Sequence, residues 1–202
     1  MLSPAIFLDR DGTVIEQVHH LSRVEDVAVY DFTREALQLL NDRGFKCVIV
    51  TNQSAIGRGL LDETGLQKIH EEMLRQLGKD SQLIHGIYFC PLMPVSGDPR
   101  IVEADDRKPG PGMLQRAARE LGLDLEQSWM IGDAISDILA GRNAGCQGTV
   151  LVRTGYGRKT ELERAGDKLQ VAGCSLPVGE PIEYVADNLL DAARHIVELD
   201  QR

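Results

Sequence analysis

The sequence has no CxxC pair: its four cysteines, Cys47, Cys90, Cys146 and Cys174, are widely scattered. Scattered thiols argue against a disulfide framework and fit a reduced, cytosolic protein. No apolar run approaches the roughly 20 residues of a membrane span, and no basic and apolar regions of a signal peptide precede the first strand. A cytoplasmic protein without a membrane partner is therefore expected. Positive charge is in short supply, with 22 Lys and Arg against 31 Asp and Glu and a formal net charge of −9. Nucleic-acid and anionic-membrane surfaces need clustered cations, so neither partner is expected. A small phosphorylated substrate stays open, because it needs only a few local ones. The GxxxxGK[ST] pattern of P-loop ATP hydrolysis is missing. An EF-hand also fails, since Gly12 comes too early and no glutamate closes a loop of about 12 residues. Internal repeats and low-complexity tracts are absent as well.

What is there is an ordinary globular composition, 43% hydrophobic and 26% charged over 202 residues, enough for one good-sized core. One domain spanning residues 1–202, and a monomer, are expected. Ala5-Ile6-Phe7-Leu8 runs without a break into Asp9, Arg10, Asp11, Gly12 and Thr13. Such a run suits a parallel strand covered on both faces, and ligands in open α/β sheets collect where such strands end. Val14 to Asp31 reads as a long loop with room for a short hairpin. Thr33 offers an N-cap to a helix carrying Ala36, Leu37 and Leu40, stopped at Gly44. Lys46 to Val50 is a second strand, ending in Thr51-Asn52-Gln53-Ser54. Asp62 caps a helix with Leu66, Ile69, Met73 and Leu77 on its apolar face.

A third strand near Ile84 to Cys90 precedes a long loop, residues 91–107, that ends in Arg107-Lys108-Pro109. Pro111 suits the first turn of a helix using Met113, Leu114, Ala117 and Leu121, with Gly122 as its stop. Trp129 to Asp133 is a fourth strand that again delivers an acid, Ser136 or Asp137 starts a short helix, and Thr149 to Val152 is a fifth strand. Arg153 to Gly179 reads as surface loop, and Asp187 as the cap of a closing helix with Leu189, Leu190, Ala193, Ile196 and Val197. The alternation predicts an α/β fold, a central parallel sheet flanked by helices.

Right-handed crossovers bring Asp9, Asp11, Thr51, Lys108 and Asp133 to one rim of that sheet. The three acids suit Mg²⁺, which takes oxygen ligands. A carboxylate can attack phosphorus to give an aspartyl-phosphate. Thr51 and Lys108 can stabilise the transferring phosphoryl group, and Asp11 can protonate the leaving alcohol and later activate water.

In order and spacing, Asp9-Arg10-Asp11-Gly12-Thr13, Thr51, Lys108 and Gly132-Asp133 with Asp137 resemble the four motifs of the haloacid dehalogenase (HAD) superfamily of phosphohydrolases. Residues 51–59, 107–113 and 152–157 resemble the D-glycero-D-manno-heptose 1,7-bisphosphate 7-phosphatases, near relatives of the histidinol-phosphatases, and the likeness spans essentially the whole chain. It implies a HAD-like Rossmannoid domain without a large cap, and a place in heptose and lipopolysaccharide precursor metabolism. Asp9 is implied as nucleophile and metal ligand, Asp11 as acid/base and a ligand through its carbonyl, and Asp133 as the remaining Mg²⁺ ligand. Thr51 and Lys108 are implied to hold the phosphoryl group, and Asn52, Gln53, Arg58 and Arg107 to contact the rest of a sugar bisphosphate.

The chain departs from that family where its members bind a structural zinc through Cys-x-His and Cys-x-Cys. Here the positions read Cys90-Pro91-Leu92 and Ala104-Asp105-Asp106, leaving one ligand of four, so no zinc of the family type is expected. A site rebuilt from Cys90, His85 and nearby acids would carry the wrong ligand set. Leu92, Met93 and Val95 are expected to pack the loop down instead. Ala55 replaces a usual glycine and would shift the loop if a positive φ is needed there. His19 and His20 read as solvated loop residues, Cys47 and Cys146 as core fillers, Trp129 as packing and Glu71-Glu72 as a solvated helix face. Alternatives are a histidinol-phosphatase or other small-molecule phosphatase, a nucleic-acid 3′-phosphatase, disfavoured by the charge, and a non-catalytic phosphosugar-binding regulator.

Overall fold

The computed structural model describes residues 2–78, 82–165 and 182–200. In chain order come β1 (Ser3–Leu8), α1 (Thr33–Asp42), β2 (Lys46–Asn52), the short α2 (Ser54–Gly57), α3 (Glu63–Leu77), β3 (Gly86–Cys90) and α4 (Gly112–Leu121). Then follow β4 (Leu123–Gly132), α5 (Ile135–Ala144), β5 (Gly148–Val152), α6 (Gly157–Ala165), β6 (Tyr184–Ala186) and α7 (Leu189–Leu199). The strands form one sheet in the order β3-β2-β1-β4-β5-β6, with every neighbouring pair parallel.

Alternation along the central strands feeds two cores. Ile6 and Leu8 of β1, with Cys47 and Ile49 of β2, join residues of α1, α3 and α7 on one face. Ala5 and Phe7, with Val48 and Val50, join Met113, Leu114 and Ala117 of α4 and Ala140 and Ala144 of α5 on the other. Each fully buried Val, Leu, Ile, Phe or Met among them contributes roughly 1.5–3 kcal/mol. These unbroken apolar runs are what a sheet covered on both faces requires.

The chain builds outward from β1 through β2 to β3, then returns to lay β4 on the other side of β1. That reversal opens a crevice beyond the carboxyl ends of β1 and β4, the place where such sheets bind ligands. Asp9 and Asp133 follow those two ends.

Several local expectations need correction. Thr33 is the first residue of α1 rather than its cap, because Phe32 already has helical dihedrals, and the Thr33 hydroxyl donates to the Val14 carbonyl at 2.9 Å. Asn188, not Asp187, caps α7 by accepting from the Asp191 amide, while Asp187 pairs with Arg153 at 2.7 Å. Leu121, at the end of α4, is 39% exposed rather than core-facing. Within Arg153 to Gly179, residues 157–165 are helix; residues 166–181 lie outside the described residues. The helix went unread because it has little apolar periodicity, and its Leu162 is 72% exposed. Ile15 and Val29 make a single antiparallel bridge in the long loop after Gly12. The expected caps at Asp62 and Gly122 are present, the first accepting from the Gly65 amide at 2.7 Å and the second in the left-handed region.

Loop 91–107 is held differently from the expectation. Leu92, Met93 and Val95 are 49%, 45% and 90% exposed, so apolar packing does not pin it. Polar ties do. Glu103 accepts from the Val95 and Ser96 amides, Arg107 Nη1 donates to the Leu92 carbonyl at 2.6 Å, Asp98 pairs with Arg100 at 2.8 Å, and Asp106 pairs with Arg116 at 2.7 Å.

Candidate active site

Asp9 leaves β1 with its amide donating to the Ile131 carbonyl of β4 at 2.9 Å, so the first acid is fastened to the strand that carries the last. The turn beyond it closes on Gly12, at φ +87°, where any Cβ would overlap the Asp133 carboxylate. Gly155, at φ +53°, lies against Gly12 and the same carboxylate oxygen, where a Cβ would likewise overlap it. Two glycines thus admit the close approach of three backbone segments around one acid. The segment after β5 is tied in as well: the Tyr156 amide donates to Asp133 Oδ2 at 2.7 Å, and the Thr154 hydroxyl to the Gly12 carbonyl at 2.5 Å.

Lys108 arrives from the end of loop 91–107 and is buried at the centre. Its ammonium donates to Asp9 Oδ1 at 2.6 Å and to the Val50 carbonyl at 2.8 Å, and it lies 2.7 Å from Asp137 Oδ1. Three protons meet three acceptors, the full capacity of an ammonium group. Asn52 holds the Lys108 backbone from both sides, accepting from its amide at 3.1 Å and donating to its carbonyl at 3.0 Å. Gln53 Nε2 reaches Asp11 Oδ2 at 2.9 Å and Thr51 Oγ1 at 2.8 Å.

Asp9, Asp133 and Asp137 place carboxylate oxygens within 4.8 Å of one another, the one group of potential metal-ligating side chains among the described residues. Burial, above all, and then the neighbouring carboxylates push Asp9 up to about 7 against the pull of Lys108. Burial, and then the Asp9 and Asp137 carboxylates, push Asp133 up to about 8. Burial alone would lower Lys108, but Asp137 and Asp9 outweigh it and raise it. Three buried acids around a single ammonium leave negative charge in excess, and an oxygen-only donor set of this kind fits a hard divalent cation.

A cavity of about 280 Å³ opens over these groups, lined by Asp9, Asp11, Thr51, Asn52, Gln53 and Lys108 together with Asp133, Tyr156 and the pair His19 and His20. Of the residues expected to meet substrate, Asn52 and Gln53 line this cavity but have their amides engaged by Lys108, Asp11 and Thr51. Arg58 and Arg107 stand outside its lining, close enough together that Arg58 adds to the burial that lowers Arg107. His19 and His20 both line the cavity, His19 solvent-exposed as expected and His20 partly buried. Ala55 sits in α2 without a positive φ, so no glycine is needed there.

Sequence reasoning left Asp137 out of the site and gave no role to Arg10, His70 or Tyr156. For Asp137 the signal was available: four residues after Asp133, in the first turn of α5, its Oδ2 accepts from the Ala134 amide at 3.0 Å while Oδ1 faces Lys108. His85, weighed as a rebuilt zinc ligand, lies before β3 whereas Cys90 ends it, so the strand separates them.

Comparison with known proteins agrees with this layout. The haloacid dehalogenase-like hydrolase model matches residues 6–145, and a second model, HAD-hydrolase-like, matches residues 106–192. A D-glycero-beta-D-manno-heptose-1,7-bisphosphate 7-phosphatase of Haemophilus ducreyi is 39% identical over 81% of this chain and 90% of its own. That of Yersinia pestis is 39% identical over 90% and 97%. Among solved structures, the D,D-heptose 1,7-bisphosphate phosphatase from B. bronchiseptica, complexed with magnesium and phosphate, superposes with a TM-score of 0.77 at 29% identity, covering 97% of this chain and 99% of its own. A match across both ends of the sheet, over the segments that carry Asp9, Lys108 and Asp133, makes the chain a member of the haloacid dehalogenase-like hydrolases.

Proposed function

We propose that this hydrolase is a Mg²⁺-dependent phosphatase that removes one phosphoryl group from a D-glycero-D-manno-heptose 1,7-bisphosphate, at position 7. The observation that carries the reading is the buried Asp9, Asp133 and Asp137 cluster clamped by Lys108 at the sheet's switch point. The heptose bisphosphate comes from the named activity of the relatives.

Asp9 Oδ attacks phosphorus, and the bond from phosphorus to the leaving oxygen breaks as the new one forms. Asp11 gives the leaving oxygen its proton. Asp11 then takes a proton from water, which attacks the phosphoryl-Asp9, releasing phosphate and restoring the carboxylate. Asp9, Asp133 and the Asp11 carbonyl would hold Mg²⁺, which supplies charge neutralisation between a carboxylate nucleophile and a phosphoryl dianion. Lys108 favours the ionised form of Asp9 and aims it, Thr51 donates to the phosphoryl oxygens, Asn52 and Gln53 hold Lys108 and Asp11 in place, and Arg58 and Arg107, beside the cavity, would meet the distal phosphate. The loop that carries Arg107 is stapled by its ion pairs, so the protein is proposed to need no zinc.

Turnover of both anomers of the heptose 1,7-bisphosphate, compared with histidinol phosphate in the presence of Mg²⁺, tests the substrate. One phosphate released per molecule, with the highest kcat/KM on a heptose anomer, is expected. A preference for histidinol phosphate would reassign the substrate, and binding without release would leave a phosphosugar-binding regulator. Metal analysis of protein purified without added zinc is expected to give well under one zinc per chain; stoichiometric zinc would contradict the stapled loop. In the Gly155→Ala variant a methyl group meets the Asp133 carboxylate. The Mg²⁺ concentration for half-maximal activity is expected to rise about 10- to 100-fold. An unchanged Mg²⁺ requirement would take Asp133 out of the metal site.

A further inference from the structure

Arg10 lies between the two acids in sequence and is 0% exposed. Its guanidinium grips the next residue: Nε is 3.1 Å from Asp11 Oδ2, and Nη2 is 3.1 and 2.9 Å from Asp11 Oδ1 and Oδ2. The remaining arm, Nη1, reaches His70 Nε2 of α3 at 3.1 Å. A guanidinium only donates, so Nε2 of His70 accepts and the ring keeps its proton on Nδ1. Burial, with the Arg10 charge, pushes His70 down to about 4, in keeping with a neutral ring. Gln53 completes the arrangement, donating to Asp11 Oδ2 at 2.9 Å.

Taking a guanidinium out of water costs several kcal/mol unless its protons find good acceptors. Here they are spent on one carboxylate and one imidazole, the latter from α3, a helix that contributes no side chain to the cavity lining. Asp11 therefore has both oxygens held, and its rotamer is fixed from behind by a chain that ends in α3.

We propose that Arg10, backed by His70, is a positioning residue that fixes the Asp11 carboxylate for proton transfer to and from the reacting oxygens. This rests on the phosphatase reading given above. It predicts a dependence on the leaving group that a purely structural ion pair would not produce. An alkoxide leaves poorly without a proton, whereas 4-nitrophenolate leaves readily as an anion, so in the step that transfers the phosphoryl group to Asp9 misplacing the acid slows the first and largely spares the second.

The test uses the full chain with Mg²⁺ and compares the rate of leaving-group release in the first turnover, under single-turnover conditions, for a primary sugar phosphate and for 4-nitrophenyl phosphate, because hydrolysis of phosphoryl-Asp9 is common to both. In His70→Leu the sugar phosphate rate is expected to fall about tenfold or more, within the roughly 10²–10⁴-fold reach of general acid catalysis, and the aryl rate by under about threefold. His70→Gln, which can again accept from Nη1, is expected to recover most of the loss. Arg10→Lys, which cannot grip both oxygens, is expected to shift the ratio the same way and further. If Arg10→Lys does not fold, the two His70 variants decide. Equal losses on both esters, or no recovery with glutamine, would overturn the proposal. A wild-type protein that hydrolyses neither ester would remove the phosphatase reading itself and this proposal with it, an outcome separate from a changed ratio.

Discussion

Asp9→Asn is expected to lose phosphate release by on the order of 10³-fold or more, because the amide can no longer attack phosphorus. Stability should move the other way. In the metal-free protein Asp9 is raised to about 7, well above its ordinary value near 3.8, so the folded chain binds more protons than the unfolded one between those limits. Stability contributed by the protonated acid is therefore lost as pH rises through about 7. The asparagine variant carries no such charge. Thermal denaturation in EDTA is expected to find it more stable than wild type on the alkaline side of about 7, with the difference shrinking on the acid side. Mg²⁺ should then stabilise wild type more than the variant. A variant that is inactive and also less stable at every pH would mean that Asp9 is mainly a structural partner of Lys108.

Lys108→Ala is expected to damage both properties. Its ammonium satisfies Asp9, Asp137 and the Val50 carbonyl at 2.6–2.8 Å inside the protein. Removing one partner of a buried ion pair costs about 3–5 kcal/mol, and removing a charge aimed at the reacting group costs about 10²–10³-fold in kcat. Lys108 is also what holds Asp9 down against burial, so the surviving activity should need a higher pH to ionise the nucleophile. A variant with a normal midpoint in urea and an unshifted pH profile would show that Lys108 is not the counter-ion of Asp9.

The elements most legible in the sequence were those whose signal is local. The runs ending at Leu8, Val50 and Ile131 are apolar because both faces of the sheet are covered. The stripe Leu66, Ile69, Met73 and Leu77 lies wholly on the buried side of α3. The site's main acids could be read because each directly follows a strand. What could not be read depends on contacts between distant segments. β4 begins at Leu123, not Trp129, because Ser3 and Pro4 pair with Leu123 and Asp124 and the Ala5 amide donates to Ser128 Oγ. The polar residues 124–128 do not look like a strand without that neighbour. β6 has three residues, too few to show a period. Loop 91–107 looked apolar from Leu92, Met93 and Val95, whereas its ties run from Glu103 to backbone amides and from Arg107 to a backbone carbonyl, acceptors and donors that every sequence carries. His70, four residues after Leu66 and three before Met73, has the spacing of the edge of the buried face of α3, and only the fold shows that this edge meets Arg10.

The most direct measurement is a rapid acid quench during turnover of a heptose bisphosphate with Mg²⁺, followed by mass analysis of the peptide that contains Asp9. A peptide heavier by one phosphoryl group, with the modification on Asp9 and absent from Asp9→Asn, is the expected result. Undiminished phosphate release from Asp9→Asn, with no phosphoryl group on Asp9 in the wild-type protein, would contradict it.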